Sequence, residues 1–170
     1  MSNYILLCNN IDDKEEIYHV INEAASDSYK GVIPDDQYSD PYMTKEELEG
    51  EMDKMQFFCY KKNNKIMGVM GFQQIKGVTL IRHAYVLPEW QRQGVGSSLL
   101  EYLKEKTETE YLLVGTWKAA TWAIEFYRKH GFSKLSDTEK YLNKYWDISQ
   151  RQIATSVVLC AKLKGDYEPL

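Results

Sequence analysis

The sequence has only three cysteines, Cys8, Cys59 and Cys160, and no two of them form a C-x-x-C pair. An odd and scattered set gives no support to a disulfide framework or a zinc ribbon. Histidine is as sparse: His19, His83 and His130 lie far apart, and none shares the i, i+4 spacing that puts two metal ligands on one helix face. No metal is expected. Long apolar runs are missing too, and no segment approaches the length of a membrane span. The opening stretch, Met1 to Asn10, has a short Ile5-Leu6-Leu7 run but neither the basic start nor the apolar length of a signal peptide. A cytoplasmic protein without a membrane partner is the expectation. Charge of one sign is also lacking, since 21 Lys and Arg stand against 25 Asp and Glu, for a net −4. Without a basic stripe to displace counterions from a phosphate backbone, no nucleic-acid partner is expected.

What remains is a chain of 170 residues, read as one domain spanning 1–170 and long enough to bury a sizeable core. Hydrophobic residues make up 44%, and 13 Tyr, 5 Phe and 4 Trp are spread from end to end, which argues against a disordered chain. Tyr4 to Cys8 reads as a short strand. A helix follows through about Ser26, capped by Asp12 or Asp13, with Ile17, Val20, Ile21 and Ala24 on its core face. Ser28 to Thr44, rich in Gly, Pro, Asp and Tyr, is a loop with room for a short helical turn. Thr44 and Glu47 form a capping-box pattern ahead of a helix over Lys45 to Lys54. Strands at Gln56 to Lys61, Ile66 to Gln74 and Val78 to Val86 are separated by Lys62-Asn63-Asn64-Lys65 and Lys76-Gly77, which predicts an antiparallel meander.

From there helix and strand alternate. Gly94 to Thr107 is helical, Tyr111 to Gly115 a buried strand, and Ala119 to His130 a helix stopped by a left-handed cap at Gly131. Phe132 to Leu135 reads as a short strand, Thr138 to Trp146 as a further helical stretch, and Ile153 to Leu163 as a strongly apolar final strand. The order β-α-α-β-β-β-α-β-α-β-β describes an α/β (α+β) fold, a mixed sheet with helices on both faces.

One segment carries chemistry. A strand, Pro88, a polar turn and then Gly94-x-Gly96 at the mouth of a helix form a device for holding a phosphate chain. First-turn amides of a helix have no intrahelical acceptor, and the macrodipole puts partial positive charge there. Glycine at 94 and 96 lets main chain approach the oxygens, and Arg92 can add charge from the rim. A Walker loop is excluded because no Gly-Lys-Ser or Gly-Lys-Thr follows, and the dinucleotide fingerprint fails because its third glycine would fall at Leu99. By itself a Gly-x-Gly is more often an ordinary turn; its surroundings decide.

The stretch from Ala84 to Leu100, with Gln91, Gly94 and Gly96 matching a Gln/Arg-x-x-Gly-x-Gly/Ala pattern, resembles the acetyl-CoA site of the GNAT superfamily of N-acetyltransferases. A second block agrees: Ala123-Ile124-Glu125-Phe126-Tyr127-Arg128-Lys129-His130-Gly131-Phe132 is similar to the family's later helix and its Gly-Phe. The resemblance implies a mostly antiparallel central sheet of about seven strands. It implies acetyl-CoA as co-substrate, with main chain near Tyr85, Val86 and Leu87 binding the pantetheine arm. Gln91, Arg92, Gln93, Gly94, Val95, Gly96 and Ser97 would hold the pyrophosphate, and Tyr127 would protonate the leaving thiolate. A phenol, at a reference pKa of about 10, suits that donation; packing of Tyr127 on the apolar stripe is the plain alternative.

The pattern departs from the family at two positions. The strand position where members often carry a Glu base is Leu80, and the Asn that contacts the cofactor aligns with Ala120, so that contact is lost or moved to Thr121 or Lys118. His83 is the nearest titratable replacement for the base, with a half-buried strand histidine beside Arg82 as the plain reading. The acceptor would enter near the loop Tyr29 to Met43, where Asp35, Asp36, Asp40, Tyr38 and Tyr42 could hold a protonated amine or form a solvated turn. Trp117 and Trp122 line the acyl or acceptor pocket or pack in the core. The partners implied are a small-molecule or peptide amine and, as an option, a second copy in a homodimer. The function that follows is direct acetyl transfer to a primary amine; the alternatives are a weak acyl-CoA sensor and a transferase for a longer acyl-CoA.

Overall fold

The computed structural model describes residues 2–165. In chain order these form β1 (Asn3–Leu7), α1 (Ile11–Ser28), a 3-10 turn (Asp35–Gln37), α2 (Lys45–Lys54), β2 (Gln56–Lys62), β3 (Lys65–Ile75) and β4 (Val78–Val86). A second 3-10 turn (Pro88–Trp90), α3 (Val95–Lys106), β5 (Tyr111–Trp117), α4 (Thr121–Lys129), β6 (Ser133–Lys134), α5 (Thr138–Tyr145), α6 (Gln150–Ala154) and β7 (Ser156–Lys162) follow. Seven strands hydrogen-bond in the order β1-β2-β3-β4-β5-β7-β6. The sheet is mixed: β4 and β5 pair in parallel, while β1–β2, β2–β3, β5–β7 and β6–β7 are antiparallel.

The tight hairpins come from turn chemistry. Asn63 and Asn64, at φ 52° and 63°, join β2 to β3, and Lys76 and Gly77, at φ 47° and 83°, join β3 to β4. Two consecutive residues with positive φ match the right-handed twist of the flanking strands. The meander read from the sequence is therefore present. So is the capping box: Thr44 Oγ1 accepts from the Glu47 amide at 3.1 Å, and the Thr44 amide donates to Glu47 Oε2 at 2.7 Å.

Two local elements differ from the sequence expectation. The first helix is capped by Asn10, whose side chain accepts from the Asp13 amide at 2.8 Å; Asp12 and Asp13 lie in the first turn, where negative charge meets the helix dipole. The apolar segment starting at Ile153 is not all strand, because Ser149 caps the short α6, Ile153 is a buried helical residue, and β7 begins only at Ser156. A short apolar run does not by itself distinguish the two.

The chain divides into two compact units, Met1–Gln73 with Arg82–Lys106, and Gln74–Ile81 with Thr107–Leu170. In the first, Ile17, Val20 and Ile21 of α1, Leu48 of α2, Phe57 of β2, Val69 of β3 and Leu99, Leu100 and Leu103 of α3 are buried. In the second, Val78, Leu80, Leu113 and Val158 pack with Tyr141, Leu142 and Tyr145 of α5 and Ile153 of α6. Among the described residues no helix is long and apolar enough to cross a membrane.

Candidate functional site

Parallel pairing of β4 with β5 is confined to Thr79–Ile81 against Leu112–Val114. Beyond Ile81 the strand continues through Tyr85 and Val86 outside that register, and its end is tied down on other sides. The Leu87 amide donates to the Met67 carbonyl at 2.9 Å, and Gln91 Nε2 donates to the Val86 carbonyl at 3.1 Å. Gln91 thus clasps the strand to the turn that follows it. Gln93 Nε2 donates to the Glu89 carbonyl at 2.7 Å, so both glutamines of the motif act on main chain.

The turn itself is set by two left-handed residues, Arg92 at φ 60° and Gly94 at φ 85°. For Gly94 that conformation costs little, because no Cβ is present. The chain then enters α3 at Val95, which is buried, while Gly96 and Ser97 are half-buried and no acidic residue occupies the first turn. The first intrahelical partner of the Gly94 carbonyl is the Ser98 amide, at 2.9 Å. The first turn of a helix in general lacks intrahelical acceptors for its amides, and the dipole adds positive potential at the same place. An anion fits these residues: a left-handed turn leads into a helix N-terminus with no acidic residue in its first turn. Lys62 Nζ lies 4.5 Å from the centroid of the Trp90 ring and brings a further positive charge to the turn.

His83 sits in an irregular part of β4, at φ 52°. Its Nε2 is 2.7 Å from Glu51 Oε2 on α2, and Arg82 Nη2 is 3.2 Å from the same oxygen. The imidazole stacks on Phe57 with centroids 6.0 Å apart and planes at 18°. Burial works against ionisation of Glu51, yet the hydrogen bond from His83 and the charges of Arg82, His83 and Lys54 outweigh it and bring the carboxyl down to about 2. For His83, burial and Arg82 lower the pKa more than Glu51 raises it, so the neutral imidazole is favoured. Glu51 was not singled out from the sequence. The only signal was its position three residues after Leu48, on the buried face of a helix full of exposed acids.

Four tyrosines of the first unit meet side by side. Tyr42 lies 5.7 Å from Tyr29, 5.9 Å from Tyr38 and 6.3 Å from Tyr85, with Tyr29 and Tyr85 6.0 Å apart. All four rings are half-buried, and Asp35, Asp36 and Asp40 of the same loop are exposed. The sequence pairs Tyr38 with Tyr42 in one loop but does not link them to Tyr85, and it marks Tyr29, at the C-terminal cap of α1, only as the start of that loop.

In the second unit Tyr127 lies in the last turn of α4, buried between Phe126 and Phe132, with ring centroids 5.1 and 5.4 Å away in edge-on geometry. Burial pushes its phenol above the ordinary value. Thr121 opens α4 and is exposed, and its amide donates to the Ala119 carbonyl at 3.0 Å. Lys118 is committed elsewhere, through Nζ to the Ala154 carbonyl at 2.6 Å. Trp117 is buried, whereas Trp122 is 44% exposed. Leu80 and Ala120 are both fully buried.

The cysteines are free thiols. Burial pushes the Cys59 thiol up, with Cys8 beside it adding to the shift, and pushes Cys160 up to about 12, which leaves little thiolate at either. Among the described residues no group of three or more His, Cys, Asp or Glu could hold a metal ion.

The family model of the acetyltransferase (GNAT) domain matches residues 21–146. Among curated proteins, the UPF0157 protein YqkA of Bacillus subtilis (strain 168) is 32% identical over 79 residues, 46% of this chain and 23% of that protein. The matched stretch is thus under a quarter of that relative's length. Among solved structures, a GNAT-family acetyltransferase from Staphylococcus aureus Mu50 superposes with a TM-score of 0.72 at 19% identity, covering 96% of this chain and 100% of the other. The PaiA N-acetyltransferase from Thermoplasma acidophilum, in complex with coenzyme A, gives a TM-score of 0.71 at 19% identity, covering 95% and 99%. At these identities the superpositions establish the fold.

Proposed function

The chain belongs to the acetyltransferase (GNAT) domain family, and from that premise we propose that it moves the acetyl group of acetyl-CoA to a primary amine of a small molecule or peptide, by direct attack in a ternary complex. The observation that carries this reading is the left-handed turn at Arg92 and Gly94, opening onto α3 with no acidic residue in its first turn. Gln91, Arg92, Gln93, Gly94, Val95, Gly96 and Ser97 would hold the pyrophosphate, with Lys62 adding charge beside Trp90. The part of β4 beyond its β5 register, near Tyr85, Val86 and Leu87, would take the pantetheine arm through main-chain hydrogen bonds. The Leu87 amide is already bonded to Met67, so carbonyls and amides nearer Tyr85 would do most of this. Thr121 remains in the cofactor set as an exposed hydroxyl at the start of α4.

The bound thioester supplies an activated acetyl carbon. The chain's contribution is to position the amine, remove its proton and protonate the departing sulfur. His83 is the base of this proposal, since its neutral imidazole can accept a proton directly or through water. Tyr127 is the acid of this proposal; burial holds its phenol protonated, so a proton is at hand when the thiolate forms. Raised thiol pKa values at Cys59 and Cys160 support direct transfer over a covalent cysteine intermediate. Tyr29, Tyr38, Tyr42 and Tyr85 form a surface suited to an ammonium group by cation–π attraction, with the exposed aspartates raising local negative potential.

Incubation of the protein with acetyl-CoA and a panel of primary amines, with release of free thiol followed, tests this function. Amine-dependent release is expected. Tight coenzyme A binding without it would favour the sensor, to which the buried Leu80 and Ala120 point; release only with a longer acyl-CoA would reassign the donor.

A further inference from the structure

We propose that Glu51 is the positioning residue for His83, holding its Nε2 proton so that Nδ1 is left to take the proton the attacking amine must lose. This rests on reading the chain as an amine acetyltransferase, with His83 as its base. A neutral imidazole carries one N–H, and an ionised carboxylate can only accept. With Glu51 Oε2 2.7 Å from Nε2, the proton sits on Nε2 and the lone pair on Nδ1. The contact fixes one tautomer of the two.

Glu51 is well suited to this task. Its carboxylate stays ionised far below neutral pH, and one of its oxygens is shared between His83 and Arg82. Only 17% of its side chain is exposed, so the charge is poorly screened by water. The charged groups facing the pair are Lys54 on α2, 3.7 Å from Glu51 Oε1, and Arg82 on β4; Phe57 from β2 presents a neutral ring. In the proton step one N–H bond of the ammonium breaks, its electron pair stays on nitrogen for attack on the acetyl carbon, and the proton goes to Nδ1. The imidazolium so formed keeps its Nε2–H on Glu51 as a charge-assisted hydrogen bond.

Backbone geometry supports a built arrangement. A histidine at φ 52° is strained by about 1–3 kcal/mol, and such strain persists where the surroundings over-determine it. Here Gly71 on β3 leaves room for the Arg82 carbonyl, while Glu51 and Phe57 hold the ring from two elements. A Glu51 that merely pinned α2 through Arg82 would need neither the strained histidine nor its stack.

The first arm of the test needs no acceptor. Nitrogen-edited NMR of protein with isotope-labelled histidine reads the tautomer and titration of His83. An Nε2–H tautomer at neutral pH is expected, and Glu51→Gln should move the His83 midpoint to lower pH. In the second arm, kcat/KM for thiol release from acetyl-CoA is followed from about pH 5 to 9 with spermidine, tyramine and an N-terminal alanine peptide. Glu51→Gln should lower it about tenfold and shift its acid limb downward, and Glu51→Asp should recover part of the loss. His83→Gln should lower it by about 10² to 10⁴ and remove the limb. Adding Glu51→Gln to His83→Gln should cost nothing more, because one residue acts through the other. Additive losses, or a His83 titration unmoved by Glu51→Gln, would overturn the proposal. So would an Nδ1–H tautomer in the unsubstituted protein, a readout that holds even if the Gln variant does not fold. Absence of thiol release with every amine would instead sink the acetyltransferase reading, leaving the NMR arm to decide Glu51.

Discussion

Gly71 of β3 faces the main chain of Arg82 on β4 so closely that a Cβ at Gly71 would stand 2.7 Å from the Arg82 carbonyl oxygen and 2.8 Å from Met55 Sδ. The oxygen is backbone and cannot rotate away. Gly71→Ala should therefore destabilise the fold by about 1–3 kcal/mol, as overpacking does, and should disturb His83 next in sequence. Urea denaturation checks the first part, and the NMR position of His83 the second. An alanine variant as stable as the parent, with unchanged His83 signals, would show that the strand relaxes freely.

Asp13 and Lys61 make an ion pair at 2.6 Å with side chains 5% and 13% exposed. Removing one member leaves the other charge buried without its partner, which costs about 3–5 kcal/mol. Asp13→Ala and Lys61→Met should each show a loss of that order in equilibrium unfolding. The double substitution Asp13→Leu with Lys61→Met should cost less than the two losses added, since no orphan charge remains.

Gly96 lies in the first turn of α3, at the proposed phosphate position. Gly96→Glu places a side chain and a negative charge there, and coenzyme A affinity measured by calorimetry should fall about tenfold or more, or about 1.4 kcal/mol. Equal affinity in a folded variant would reduce the motif to a turn.

Tyr127→Phe keeps the buried ring between Phe126 and Phe132 and removes only the hydroxyl. Acetyl-CoA affinity should hold while turnover drops about ten- to a thousandfold. Unchanged turnover would confine Tyr127 to packing.

Stability should decline with acid in two steps. His83 is lowered by burial, so folding favours its neutral form; that contribution is present above its ordinary 6.5 and is lost as pH falls through its folded value. Glu51 stands at about 2 against an ordinary 4.5, so its contribution is full above 4.5 and is lost as pH falls toward 2. Denaturation midpoints measured against pH should fall below 6.5 and more steeply below 4.5. In Glu51→Gln the lower step should flatten; a curve parallel to the parent's would assign that step to other carboxylates.

Elements with strong local chemistry were legible in the chain. The capping box at Thr44 and Glu47 gave α2 its observed bounds, Lys45–Lys54, and the Asn63-Asn64 and Lys76-Gly77 turns placed two hairpins. Errors fell where local chemistry is ambiguous. Asn10, Asp12 and Asp13 are all competent caps, and only the path of the chain from β1 into α1 selects Asn10. Ile153 sits in an apolar run equally compatible with helix and strand.

The sequence by itself determined the family, the glycine-containing turn into α3 and the order of most elements, because each depends on neighbours within a few residues. Tertiary structure decided the partners of single side chains. Strand alternation could not place His83, since a positive φ breaks the two-residue period that alternation relies on. Its partner Glu51 is 32 residues away, and the four tyrosines that meet at Tyr42 come from a helix end, a loop and a strand. Such contacts are set by how elements pack, a property that no local spacing in the chain encodes.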